Sequence, residues 1–201
     1  MLETLPRKRR SYQMVSRATA SATTATRLLD VAVELFTDNP YDEVSLERIA
    51  SRAGVTKRTL LRRFGSKEAI FVAATMDAAE RVMRRRDAAP VGDIPGAVAN
   101  VVATYEDWGP NRLRMLAQED RIPVVRETVE GGRQYHRAWV EKTFAPVLKG
   151  LRGAPRVRRV ASLIAITDVY TWKLLRRDLR LSQADTEKVL VELITSMREE
   201  T

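Results

Sequence analysis

The residues best equipped for chemistry in this 201-residue chain lie between Ser45 and Lys67. Lys57-Arg58-Thr59-Leu60-Leu61-Arg62-Arg63-Phe64 sets cations and one hydroxyl beside an apolar pair, Leu60 and Phe64, four residues apart. On a helix that spacing gives an inner apolar rail and an outer face of Lys57, Arg58, Thr59, Arg62 and Arg63. Guanidinium and ammonium groups so placed meet phosphate oxygens and base edges. Covalent chemistry is poorly supplied. The sequence has no cysteine and a single histidine, His136. This excludes disulfides, thiol catalysis, cysteine-ligated metal and multi-histidine metal sites. It contains no glycine-rich phosphate loop, nucleophile elbow or paired-carboxylate signature, so we expect neither an enzyme nor a cofactor.

The elements that must position the basic face can be read from the same segment. Ser45 is a favoured N-cap, and the helix from Leu46 to Ala53 puts Leu46, Ile49, Ala50 and Ala53 on one face. Gly54 permits a tight, left-handed stop. Val55 plugs the corner, and Thr56 can cap a second helix, Lys57–Phe64. Ala50 is small enough for the two helices to pack closely. This is the pattern of a helix-turn-helix, whose second helix enters the major groove of DNA. Gly65-Ser66 ends that helix, and Ser66-Lys67-Glu68 starts a longer one to about Arg86. A cation at Lys67, in a first helical turn that itself favours anions, points to an external phosphate. Ser45, Thr56, Lys57, Arg58, Thr59, Arg62, Arg63 and Lys67 are the candidate DNA contacts.

The run Ile49-Ala50-Ser51-Arg52-Ala53-Gly54-Val55-Thr56, then Thr59-Leu60 with Phe64, then Ser66-Lys67-Glu68, resembles the signature of the tetracycline-repressor (TetR) family. The likeness covers roughly residues 26–76. It departs at Arg58, where the family often has a small residue, at Leu61, where it often has an aromatic, and at Arg63, often Tyr or His. The two arginines add charge and suggest a different operator. The resemblance implies an all-α fold of about nine helices: an N-terminal three-helix helix-turn-helix domain and a C-terminal helical domain for ligand binding and dimerisation. It implies a homodimer on a palindromic operator in double-stranded DNA, acting as a repressor that a small hydrophobic effector releases. A ligand-independent DNA-binding or architectural protein is the alternative.

The rest of the chain fits that plan. We expect a disordered basic arm over 1–22, with Arg7-Lys8-Arg9-Arg10 able to touch the DNA backbone, a DNA-binding domain over 23–88, and a second domain over 93–201. Helical spacing places helices near 94–108, 111–120, 124–149, 155–178 and 183–198, with Gly109-Pro110, Pro123, Gly150, Pro155 and Leu181-Ser182 as stops. Apolar stripes on the last two helices (Val157, Val160, Ile164 and Leu174; Leu190, Leu193 and Ile194) are the pair that the resemblance assigns to the dimer. Trp108, Met115, Tyr135, Trp139, Asp168 and Trp172 are the candidate ligand contacts, the aromatics giving buried area and Asp168 a polar contact to a cation or hydroxyl. The formal net charge is +9, and residues 1–90 hold 17 Lys/Arg against 11 Asp/Glu while residues 91–201 hold 18 against 15. That balance favours an anionic partner. No apolar run approaches the ~18–20 residues of a membrane span, and the first ten residues lack the apolar stretch of a secretory signal. We expect a cytoplasmic protein.

Overall fold

The computed structural model describes residues 24–199, all of whose regular elements are helical. The basic arm of residues 1–22 lies outside them. In chain order the elements are α1 (24–38), a 3-10 turn (Tyr41–Glu43), α2 (Leu46–Arg52), α3 (Lys57–Phe64), α4 (Lys67–Arg86), α5 (Ile94–Leu116) and α6 (Pro123–Thr143). A second 3-10 turn (Ala145–Leu148), α7 (Gly153–Ile166), α8 (Val169–Lys173), a π turn (Leu174–Asp178) and α9 (Gln183–Glu199) complete it. Packing divides the chain into two units between Asp77 and Ala78, within α4. The loop 87–93 follows α4, and Asp93 opens α5 by accepting the Gly96 N–H at 3.0 Å.

In the first unit, α1 to α3 and the start of α4 close over Leu28, Ala32, Leu35, Val44, Ile49, Leu60 and Ile70, each at most 1% exposed. Phe36, Tyr41 and Phe71 form an aromatic trio with centroid separations of 5.1–5.9 Å. α1 ends at Asp38, two residues before Pro40, which cannot continue a helix.

In the second unit, α5, α6, α7 and α9 enclose a core that includes Val98, Val101, Val140, Phe144, Leu163, Leu190 and Ile194. Three expected boundaries are corrected. Gly109-Pro110 does not end a helix, since α5 runs through both. Proline inside a helix removes one hydrogen bond and crowds the preceding turn, so tertiary packing must compensate. It does so at Gly109, which is buried against the ring of Trp172; a Cβ there would lie 2.5 Å from Cζ3 of that indole. The glycine serves a close approach rather than a stop. The helix expected over 124–149 ends at Thr143 and passes into the 3-10 turn. The helix expected over 155–178 breaks at Thr167-Asp168, because Asp168 turns its side chain back to its own backbone and starts α8. Arg180, at φ +58°, makes the reversal before α9.

Candidate nucleic-acid interface and the C-terminal interior

α2 and α3 form two arms joined by a turn. Ser45 Oγ accepts the Arg48 N–H at 3.1 Å and caps α2. Gly54 adopts φ +67°, which side-chain-bearing residues rarely do. The Val55 N–H then bonds Ala50 O at 2.9 Å, closing the corner. Thr56 Oγ1 accepts the Thr59 N–H at 3.1 Å and caps α3. Leu60 is fully buried beneath α3, with Leu61 and Phe64 half-buried beside it. Lys57, Arg58, Arg62 and Arg63 are exposed on the outer face, and Thr59 is half-buried with its hydroxyl 3.0 Å from that of Thr56. The turn therefore brings the α3 candidates onto one surface, with Ser45 at the start of the other arm.

Two details were not legible in the sequence. Lys57 Nζ lies 2.5 Å from Glu47 Oε1. That hydrogen bond holds the Glu47 carboxyl below its ordinary range. Among the described residues Arg58 and Arg62 have no ion-pair partner. Lys67, in the first turn of α4, stands 4.1 Å from the ring centroid of Tyr41, whose hydroxyl donates to Glu68 Oε1 at 3.1 Å. Burial lowers the Lys67 pKa and raises that of the Tyr41 phenol. The aromatic that steadies Lys67 thus comes from the 3-10 turn; its only signal was Tyr41 directly after the helix-ending Pro40.

The candidate ligand residues of the second unit are not all brought together. Trp108 and Met115 share α5, rather than sitting on separate helices, because α5 is continuous. Trp139 and Trp172 enter the common core, and Tyr135 packs against it. Trp172 Nε1 donates to Glu106 Oε1 at 2.8 Å, and Arg176 clasps the same carboxylate at 2.7 and 2.9 Å. These bonds hold Glu106 below its ordinary pKa range. Burial raises the Tyr135 phenol to about 12, and its hydroxyl is buried with no partner among the described residues. Asp168 caps α8, accepting the Tyr170 N–H at 2.9 Å. It is half-buried and satisfied by backbone.

A polar chain crosses this interior that the sequence did not announce. Arg86 Nη1 donates to His136 Nδ1 at 3.0 Å, and the other ring nitrogen faces Thr167 Oγ1 at 3.2 Å. Thr167 Oγ1 donates onward to Leu163 O at 2.7 Å, while the Tyr105 hydroxyl donates to Thr167 O at 3.1 Å. An arginine can only donate, so Nδ1 accepts and the imidazole is neutral with its proton on Nε2. Burial, reinforced by Arg86, pushes the His136 pKa down to about 3. An unfolded histidine titrates near 6.5. A depressed folded pKa gives stability that is complete above about 6.5 and lost as pH falls from there towards about 3. His136 is the sole histidine, so the interval above pH 5 reports it cleanly. Denaturant unfolding of the second unit should show about 2 kcal/mol less stability at pH 5 than at pH 7.5. The His136→Gln variant should be nearly flat over that interval; equal pH dependence in both proteins would contradict a neutral buried ring.

A capped helix, a left-handed glycine turn and a second capped helix with a basic outer face make the first unit a helix-turn-helix domain. Residues 28–74 match the model of the bacterial regulatory proteins, tetR family. That match makes the first unit similar to the helix-turn-helix domain of that family. The HTH-type transcriptional regulator UidR of Escherichia coli is 32% identical over 117 residues, which are 56% of this chain and 60% of UidR. The regulator MftR of Mycobacterium tuberculosis is 45% identical over 49 residues, covering 24% of this chain and 25% of MftR. The matched region thus spans between a quarter and three fifths of these relatives. Among solved structures, a tetR-family transcriptional regulator from Streptomyces coelicolor shares the fold with a TM-score of 0.69 at 22% identity, covering 88% of this chain and 80% of that one. FadR from Bacillus subtilis, solved in complex with stearoyl-CoA, does so with a TM-score of 0.59 at 15% identity, covering 86% and 98%. Among the described residues no helix is long and apolar enough to cross a membrane, and no group of His, Asp or Glu could hold a metal ion.

Proposed function

We propose that the chain is a cytoplasmic, non-enzymatic transcriptional regulator that binds a palindromic operator as a homodimer. The observation that carries this reading is the basic outer face of α3, presented by the Gly54 turn and rooted by Leu60. The DNA-binding part is the segment 23–88, whose end from Ala78 packs into the second unit, and the segment 93–201 supplies dimerisation and, with that end of α4, an effector site. Dimerisation is supported by exposed apolar side chains on the rear helices: Val157 at 61%, Leu174 at 49% and Leu193 at 44% exposure. Repression relieved by a small apolar ligand is supported by the aromatic interior around Trp139 and Trp172 and by the FadR fold, solved with stearoyl-CoA. Ligand would favour a conformation in which the two recognition helices no longer fit successive major grooves.

The test is selection of bound sequences from random duplexes, followed by footprinting. The expected footprint is two-fold symmetric, with half-sites about one helical turn apart. Arg58→Ala should relax preference at one position in each half-site, at about 1–3 kcal/mol. Lys67→Ala should weaken all sequences alike. Absence of any sequence preference in the wild type would refute the regulator reading.

A further inference from the structure

The interior of the second unit contains two guanidinium groups that form no ion pair with a carboxylate among the described residues, although the charges of Glu119 and Asp168 reach Arg112 from a distance. Arg86 is 5% exposed. Its hydrogen-bonded partner His136 is neutral, so that contact supplies no counter-charge. The rings of Tyr105 and Trp139 lie 5.0 and 5.4 Å from its Cζ and offset part of the cost. Its Nε remains buried with no partner among the described residues. Arg112, on α5, is half-buried and has no ion pair and no hydrogen bond among the described residues. Its guanidinium lies against α6 at Gly132, where a Cβ would overlap Nη2. The glycine makes room for the cation. Burial lowers the Arg112 pKa; Tyr105 and Asp168 act against that, while Arg86 and Arg133 reinforce it.

The neighbouring charges are otherwise engaged. Arg133 is paired with Glu119 at 2.7 Å, and Asp168 is bonded to the Tyr170 N–H at 2.9 Å, outside ion-pair distance of Arg112. Two like charges withdrawn from water without an anion are costly. Such an arrangement is relieved when an anion arrives from outside, and a guanidinium binds a carboxylate or phosphate through two parallel hydrogen bonds. We propose that Arg112, backed by Arg86, binds the anionic head of an organic acid whose apolar body packs among the aromatic side chains of this interior. The inference deepens the effector reading above and rests on it. It also reverses the polarity expected from Asp168: the ligand carries the negative charge.

The test uses the full chain without DNA and four probes of one chain length: decanoate, decyl phosphate, decanol and decylammonium. Binding is followed by tryptophan fluorescence and by the shift in Tm. Decanoate or decyl phosphate should bind saturably and raise Tm, the tighter of the two identifying the head group. Decanol should bind at least tenfold more weakly, and decylammonium should not bind. Arg112→Gln should lower anion affinity at least tenfold. Gly132→Ala should do the same with the arginine still present, and helix propensity favours its folding. Equal affinity for decanol and decanoate, or wild-type anion affinity in both variants, would overturn the proposal. Because operator binding is measured separately, that failure would leave the regulator reading standing.

Discussion

Leu60→Ala is expected to lower the stability of the first unit by about 2–5 kcal/mol and to abolish sequence-specific DNA binding. α3 has only eight residues, and an isolated helix of that length is not stable in water. Two things hold it: the Thr56 cap and the apolar rail. A cap contributes about 1 kcal/mol. The rail rests on Leu60, which is 0% exposed, and on the half-buried Leu61 and Phe64. Removing the leucine leaves a void beneath the helix and frees its axis to shift, and on the proposed function a helix out of line by an ångström would no longer offer Arg58 to the same base. The contrast with Arg58→Ala makes the experiment informative. That exposed substitution should change binding while leaving the thermal transition in place; Leu60→Ala should move both. Wild-type affinity with an unchanged transition in Leu60→Ala would mean that α3 is held by something other than its rail.

Trp172→Ala should cost the second unit about 3–5 kcal/mol. The indole is 1% exposed, packs at 6.0 Å from Tyr105, and donates to Glu106. It also fills the notch at Gly109. The reverse change, Gly109→Ala, should destabilise by overpacking, at about 1–3 kcal/mol, because the 2.5 Å approach to Cζ3 meets a rigid ring rather than a flexible side-chain end. The double variant should be less destabilised than the sum of the two, since the new methyl group enters space the ring has left. Denaturant melts of the four proteins complete the cycle. Strict additivity would show that the ring and the glycine do not share one packing site.

How much of this was legible in the sequence follows from how local each signal is. Ser45, Gly54, Thr56 and Gly65 act within a few residues of themselves, and the helix-turn-helix could be read from them together with the Leu60 and Phe64 rail. The second unit is decided by distant partners. Gly109-Pro110 reads locally as a stop, yet α5 continues because an indole more than sixty residues away covers the glycine. Asp168 reads locally as an acid in search of a cation, yet its own backbone satisfies it. The Arg86–His136–Thr167 chain joins α4, α6 and the end of α7, and no periodicity encodes such a meeting. One clue was present and carried no obvious meaning: Gly131-Gly132 in the middle of an otherwise good helix. At Gly132 the missing side chain leaves room for the Arg112 guanidinium, whereas Gly131 faces open space.

The pairing of Lys57 with Glu47 bears on how fast such a protein could search a chromosome. Residence on random sequence is set by the sum of phosphate attractions, and a carboxylate beside the first residue of the proposed reading helix would subtract from it. If α3 reads DNA as proposed, the ammonium would gain little on non-cognate sequence by leaving its partner, and the tip would contribute little grip there. Only where a base edge offers Lys57 a better acceptor does the exchange become favourable. In the proposed regulator, this one acidic side chain on α2 would trade a little affinity everywhere for a shorter dwell time in the wrong places.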